Sequence, residues 1–183
     1  MLHAAGLVFT TAPARIDETA LIESMVAEGV SPRDIADALA ELKCLAVANT
    51  QGNGMVIGAD QVLVCDGTIF EKPGTREKAF AQLKALQGKA HQLISAIVVA
   101  KDGAIIWRHV DTARLEMRPM ADATISAYLD AAGDGILQSV GCYHVEGLGA
   151  QLFTRIIGDH FTIRGLPLLP LLDLLRRYGT VAT

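Results

Sequence analysis

Met55-Val56-Ile57-Gly58-Ala59-Asp60-Gln61-Val62-Leu63-Val64-Cys65-Asp66-Gly67-Thr68-Ile69-Phe70 is the stretch that decides the fold. Met55 to Ala59 is an unbroken apolar run of buried-strand type, and it meets a carboxylate at Asp60. Gln61 to Cys65 continues extended. Asp66-Gly67 then supplies the two residues that most readily take positive φ, so Thr68 to Phe70 is expected to turn back as a hairpin.

Upstream, Ser31-Pro32-Arg33-Asp34 has the chemistry of a helix start: a Ser N-cap, Pro at the first helical position and a carboxylate in the first turn. Ile35, Leu39, Leu42 and Ala46 follow at helical spacing, and Lys43 borders the stripe they form. Downstream, Glu71-Lys72-Pro73-Gly74 breaks the strand pattern. Thr75 caps a further helix with Ala79, Leu83 and Leu86 inward and Gly88 as its stop. Gln92–Ala100 and Ala104–Val110 read as a second hairpin about Asp102-Gly103. Ala113, Leu115 and Met117 alternate with Arg114, Glu116 and Arg118, the period of a half-exposed strand.

Asp122 reads as the cap of a helix carrying Ile125, Tyr128, Leu129 and Ala132. Gly141 to Gly149 holds three glycines among polar residues, a loop in which backbone must approach something closely. A strand over Gln151–Ile157 and a last helix with Pro167 in its first turn complete the chain. Alternating strands and helices without repeats or linkers give an α/β domain.

Composition narrows the function. In 183 residues, 51% are hydrophobic and 20% charged, which supports a sizeable core and excludes wholesale disorder. A net charge of -4 lacks the basic stripe of a duplex binder, and 5% aromatics give no stacking platform for single strands. Cys44, Cys65 and Cys142 are odd in number and widely spaced, so neither a disulfide framework nor a zinc site is expected. The longest apolar run, Leu93 to Ala100, falls far short of the ~20 residues of a membrane span. No basic n-region precedes the short apolar start, so a cytoplasmic location is expected, with neither nucleic acid nor membrane as partner.

Asp60 carries the first chemical expectation. A carboxylate ending an apolar strand is poorly solvated and faces the crevice where open α/β sheets bind ligands. Lys72 follows one hairpin later, so an ammonium can return toward that carboxylate. Such a pair suits phosphate chemistry; an ordinary strand-end Asp and a solvated Lys are the alternative, as a snorkelling side chain is for Lys43. Dinucleotide-binding and P-loop glycine patterns are absent, and His3, His91, His109, His144 and His160 have no metal-ligand spacing.

Several blocks, taken in order, resemble the Maf family of nucleoside triphosphate pyrophosphatases. Ile16-Asp17-Glu18 matches its Asp-Glu block and Glu41-Leu42-Lys43-Cys44 its Glu-x-Lys-Ala block. Gly58-Ala59-Asp60-Gln61, Glu71-Lys72-Pro73 and Leu86-Gln87-Gly88-Lys89-Ala90-His91 match three more. Gly141-Cys142-Tyr143-His144-Val145-Glu146-Gly147 and Gly165-Leu166-Pro167-Leu168 complete the set. The resemblance implies one domain over residues 1–183: a curved mixed sheet flanked by helices, with a central cleft, as in the Maf and inosine triphosphatase folds. Met1 to Phe9 looks like the end of the family's first helix. The usual first strand and its Ser-x-Ser-x-x-Arg segment are therefore expected to be missing.

The implied reaction is hydrolysis of a nucleoside triphosphate to monophosphate and pyrophosphate with a divalent cation, Mg or Mn. By resemblance Asp60 takes the proton of the attacking water, Lys43 and Lys72 stabilise phosphate charge, and Glu18 lines the site. Gln61 and Glu146 stand where the branch acting on dTTP and UTP has Thr and Gln, and they look like the branch acting on 7-methyl-GTP. A degenerate member that binds nucleotide or a partner protein without turnover is the alternative. Association as a monomer or a homodimer is left open.

Overall fold

The computed structural model describes residues 1–52 and 54–181. It contains α1 (Glu18–Ala27), α2 (Pro32–Gln51), β1 (Met55–Cys65), β2 (Thr68–Phe70), α3 (Arg76–Leu86), β3 (Ala90–Lys101), β4 (Ala104–Met117), α4 (Asp122–Ala132), β5 (Phe153–Ile157), α5 (His160–Ile163) and α6 (Leu168–Arg177), with short 3-10 turns between them. The sheet order is β2-β1-β3-β4-β5. The α/β class holds, and among the described residues the sheet is antiparallel where the resemblance implied a mixed one.

Local chemistry accounts for most boundaries. Asp66 at φ 49 and Gly67 at φ 79 make the β1–β2 turn, which brings Cys65 opposite Thr68 and Leu63 opposite Phe70. Asp102 and Gly103 turn β3 into β4 in the same way. The Ser31 hydroxyl accepts from the Asp34 amide at 3.2 Å, and Thr75 caps α3 likewise at 3.3 Å. The two strands expected across residues 104–118 are one, since nothing between Val110 and Ala113 breaks the extended backbone. Asp122 lies inside α4 rather than capping it; Ala121 is the N-cap, and Asp122 pairs with Lys84 at 2.8 Å. Pro167 is itself the N-cap of α6, and Pro170 occupies the first turn, where a missing N–H leaves no bond unmade.

The chain forms two compact units. One comprises Met1–Gln61, Ile94–Asp111 and Asp159–Thr183; the other comprises Val62–Leu93 and Thr112–Gly158. In the first unit, Leu168, Leu171, Leu174 and Leu175 of α6 pack on Ile97 and Val99, with Met55, Ile57 and Ala59 alongside. Each buried leucine is worth roughly 1.5–3 kcal/mol over an exposed one. In the second unit, Ala79, Leu83 and Leu86 are buried as the spacing predicts, together with Ile125, Tyr128 and Leu129 of α4. His91, Tyr143 and Phe153 form an aromatic cluster there, and His91 Nε2 lies 2.7 Å from the Tyr143 hydroxyl. Among the described residues no helix is long and apolar enough to cross a membrane.

Candidate active site

The face that α2 buries differs from the expected stripe. Leu42 is 38% exposed, while Ile35, Ala36, Leu39, Ala40 and Cys44 are fully buried. The reason lies in β1. A Cβ on Gly58 would sit 2.3 Å from the Ala40 carbonyl oxygen and 2.6 Å from both the amide nitrogen and Cβ of Cys44. Only glycine opposite small residues lets helix and strand come this close, and the Cys44 thiol uses the proximity to donate to the Val56 carbonyl at 3.3 Å.

Lys43 precedes Cys44, so this seat delivers its ammonium to the strand. It donates to Asp60 Oδ1 at 2.5 Å and reaches Glu18 Oε2 at 2.9 Å. Glu18 is brought there by α1, whose first turn is fixed when Asp17 Oδ1 accepts from the Ala20 amide at 3.1 Å. The Lys43 side chain is only 19% exposed and that of Asp60 8%, so Lys43 does not snorkel to water. Desolvation opposes its charge, but the hydrogen bonds and charges of Asp60 and Glu18 outweigh that and hold its pKa above the ordinary 10.5. One ammonium thus joins two carboxylates. Nearby, a cavity of about 390 Å³ is lined by Phe9, Thr10, Thr11, Val47, Met55 and Ile57 among others, and among the described residues its lining is uncharged.

Gln61 follows Asp60 and therefore points to the opposite side of the strand. Its Nε2 donates to Ser95 Oγ at 2.8 Å and to the carbonyls of Thr162 and Ile163 at 3.0 and 3.1 Å. Ser95 Oγ donates to the Thr162 carbonyl at 2.8 Å, and Thr162 Oγ1 donates to Asp111 Oδ2 at 2.6 Å. Ser95 and Thr162 are fully buried. Sequence reading missed this network. Its only signal was a hydroxyl inside the apolar run Leu93 to Ala100, a position that demands partners.

Lys72 and Glu146 belong to the second unit. Lys72 is exposed beside a buried Pro73, and the Gly74 amide donates to the Leu137 carbonyl at 3.2 Å, so its backbone is anchored on both counts. Glu146 is exposed in the turn between Val140–Cys142 and Leu148–Leu152. Gly141 and Gly149 serve packing within the protein. A Cβ on Gly149 would lie 2.5 Å from the His144 carbonyl oxygen, and one on Gly141, at φ 75, would meet Leu63 and Tyr143. Among the described residues no three or more His, Cys, Asp or Glu side chains group into a metal site.

The Maf-like protein family matches residues 1–178. The chain belongs to the Maf family. A protein from Jannaschia sp., named nucleoside triphosphate pyrophosphatase 1, is 49% identical over 100% of this chain and 92% of its own length. One from Paramagnetospirillum magneticum, named nucleoside triphosphate pyrophosphatase, is 48% identical over 98% of this chain and 92% of its own. A third, from Brucella abortus and named 7-methyl-GTP pyrophosphatase, is 48% identical over 97% and 89%. Maf membership therefore covers Glu18, Lys43, Asp60, Gln61, Lys72 and Glu146 alike, since all lie within residues 1–178.

Proposed function

We propose that Asp60 is the general base of this Maf protein and that the nucleotides it prefers carry a guanine-type base such as 7-methylguanine. The reaction itself is that of the family: a nucleoside triphosphate is hydrolysed to monophosphate and pyrophosphate. The observation that carries the proposal is the Lys43 ammonium held between Asp60 and Glu18 in a largely buried setting. Asp60 takes the proton of a water whose oxygen bonds to the α-phosphorus. The bond from that phosphorus to the bridging oxygen breaks, and pyrophosphate leaves. Lys43 and Lys72 neutralise the charge that spreads over the phosphate oxygens, an effect worth most where water is sparse.

A divalent cation is compatible with the donors present, because Mg²⁺ is commonly held by one or two carboxylates together with substrate phosphates. Asp60 and Glu18 are the carboxylates that would hold it, and it would supply further charge neutralisation. The base preference draws on Gln61 and Glu146: their acceptor oxygens suit the N–H donors of a guanine edge, and a carboxylate favours a positively charged methylated purine. The relative named 7-methyl-GTP pyrophosphatase supports this reading. Three buried, unpaired thiols accord with a reducing cytoplasm.

Asp60→Asn tests the base. The amide keeps the shape but cannot accept the water's proton, so pyrophosphate release should fall by about 10²–10⁴ while the far-UV circular dichroism is unchanged. Activity within about tenfold of the parent, below the worth of a general base, would reject the role.

A further inference from the structure

The amide of Gln61 has only one workable orientation. The Thr162 and Ile163 carbonyls can only accept, and Ser95 has given its own proton to the Thr162 carbonyl, so its oxygen must accept as well. All three therefore require the nitrogen of Gln61; turning the amide over would press its oxygen against two carbonyl oxygens and a third lone pair. Two N–H bonds serve three acceptors, and no donor capacity is left for a ligand. Oε1 is in the opposite position. Among the described residues nothing donates to it, and it is not one of the buried polar atoms left without a partner, so it reaches solvent. Gly165, at φ +92, passes beside it, with 3.8 Å between Oε1 and the place a Cβ would take.

We infer that Ser95, with the main-chain carbonyls of Thr162 and Ile163, is a positioning group that fixes Gln61 as an acceptor-only reader of the substrate, so that a base edge with two adjacent N–H donors is chosen over one with a single donor between two carbonyls. This rests on the reading that Gln61 faces the base. It adds what that reading lacks: a reason why a glutamine, which could offer either end, offers one. Ser95 touches no substrate; it acts through the amide it holds.

The test is a mutant cycle on kcat/KM for 7-methyl-GTP and UTP, with parent, Gln61→Met, Ser95→Ala and the double variant. Gln61→Met should lower the 7-methyl-GTP to UTP ratio by about tenfold or more, because an unmatched polar contact at a base is lost. Ser95→Ala should lower it by roughly three- to tenfold, the worth of one hydrogen bond in the lock. In the Gln61→Met background Ser95→Ala should leave the ratio where it is. Ser95→Cys keeps a weaker acceptor, should fall between parent and Ser95→Ala, and serves by itself where Ser95→Ala is not recovered folded. A merely structural Ser95 would lower the melting temperature and both kcat/KM values together with the ratio unmoved, and that overturns the inference. A ratio that survives Gln61→Met instead overturns the base-reading role, and only that result does so.

Discussion

Gly58→Ala should disable the enzyme without touching a charged group. The added methyl would lie 2.3 Å from the Ala40 carbonyl oxygen and 2.6 Å from the Cys44 nitrogen and Cβ. These atoms are part of the α2 backbone or fixed to it, so no rotamer change relieves the contact. An ordinary van der Waals separation for such pairs begins at 3.4 Å, so the helix must retreat by about 1 Å from β1. Lys43 rides on the same turn. Its ammonium would leave the 2.5 Å contact with Asp60 and the 2.9 Å contact with Glu18, or recover them only by distorting its side chain.

Misplacement by about 1 Å lowers rates by roughly 10²-fold, equivalent to about 2.7 kcal/mol of barrier. Overpacking destabilises by about 1–3 kcal/mol, and a chain of this size loses roughly 2–4 °C of Tm per kcal/mol. Three measurements separate the outcomes: kcat for pyrophosphate release, Tm, and the reaction rate of Cys44 with a thiol reagent. Cys44 is fully buried and joined to Val56, so a lifted helix should expose it and raise that rate. A kcat within about threefold of the parent alongside a lowered Tm would show that the helix seat supports stability and does not set the chemistry. An unchanged Tm with an unreactive Cys44 would show that the helix never moved.

Lys72→Ala should weaken triphosphate binding more than nucleoside binding, since a lysine meets phosphate as a point charge; calorimetry showing equal losses for both ligands would give Lys72 a structural role instead. Stability should depend on pH through His91. Burial lowers its pKa from 6.5 to about 4, so the folded state resists a proton that the unfolded chain takes up readily. Above pH 6.5 the imidazole is neutral in both states and the effect vanishes. As pH falls from 6.5 toward 4, stability should drop by about 3 kcal/mol, because each pH unit between the unfolded and folded pKa values costs about 1.36 kcal/mol. Chemical denaturation of His91→Gln should show that slope reduced, and an undiminished slope would assign it to other groups.

What was legible in the sequence was the part written in local chemistry. Ser31, Thr75, Asp66-Gly67 and Asp102-Gly103 fix their caps and turns through atoms a few residues away, so they could be read without a fold. The stripe on α2 could not. Periodicity ranks Leu42 above Ala40 and Cys44 because it weighs hydrophobicity alone, whereas the helix settles where its surface is smallest, against a glycine in a strand that follows it in the chain. The candidate site divides along the same line. Asp60 was visible as a carboxylate closing an apolar run, but it does not end the strand as expected: β1 runs through it from Met55 to Cys65 because the extended pattern resumes at Gln61. The reach of Lys43 depends on how closely α2 approaches, and that is a tertiary quantity. The glycines of residues 141–149 carry the complementary lesson. Their density suggested close approach, which holds at Gly141 and Gly149, but the approach is to His144, Tyr143 and Leu63 of the same unit. Composition reports that backbone must come near something without naming the partner. A motif match named the chemistry of Gly58-Ala59-Asp60-Gln61, yet gave no physical reason for its first residue. The contact between Gly58 and the Ala40 carbonyl supplies one: the glycine brings the lysine to the aspartate two residues further along the strand.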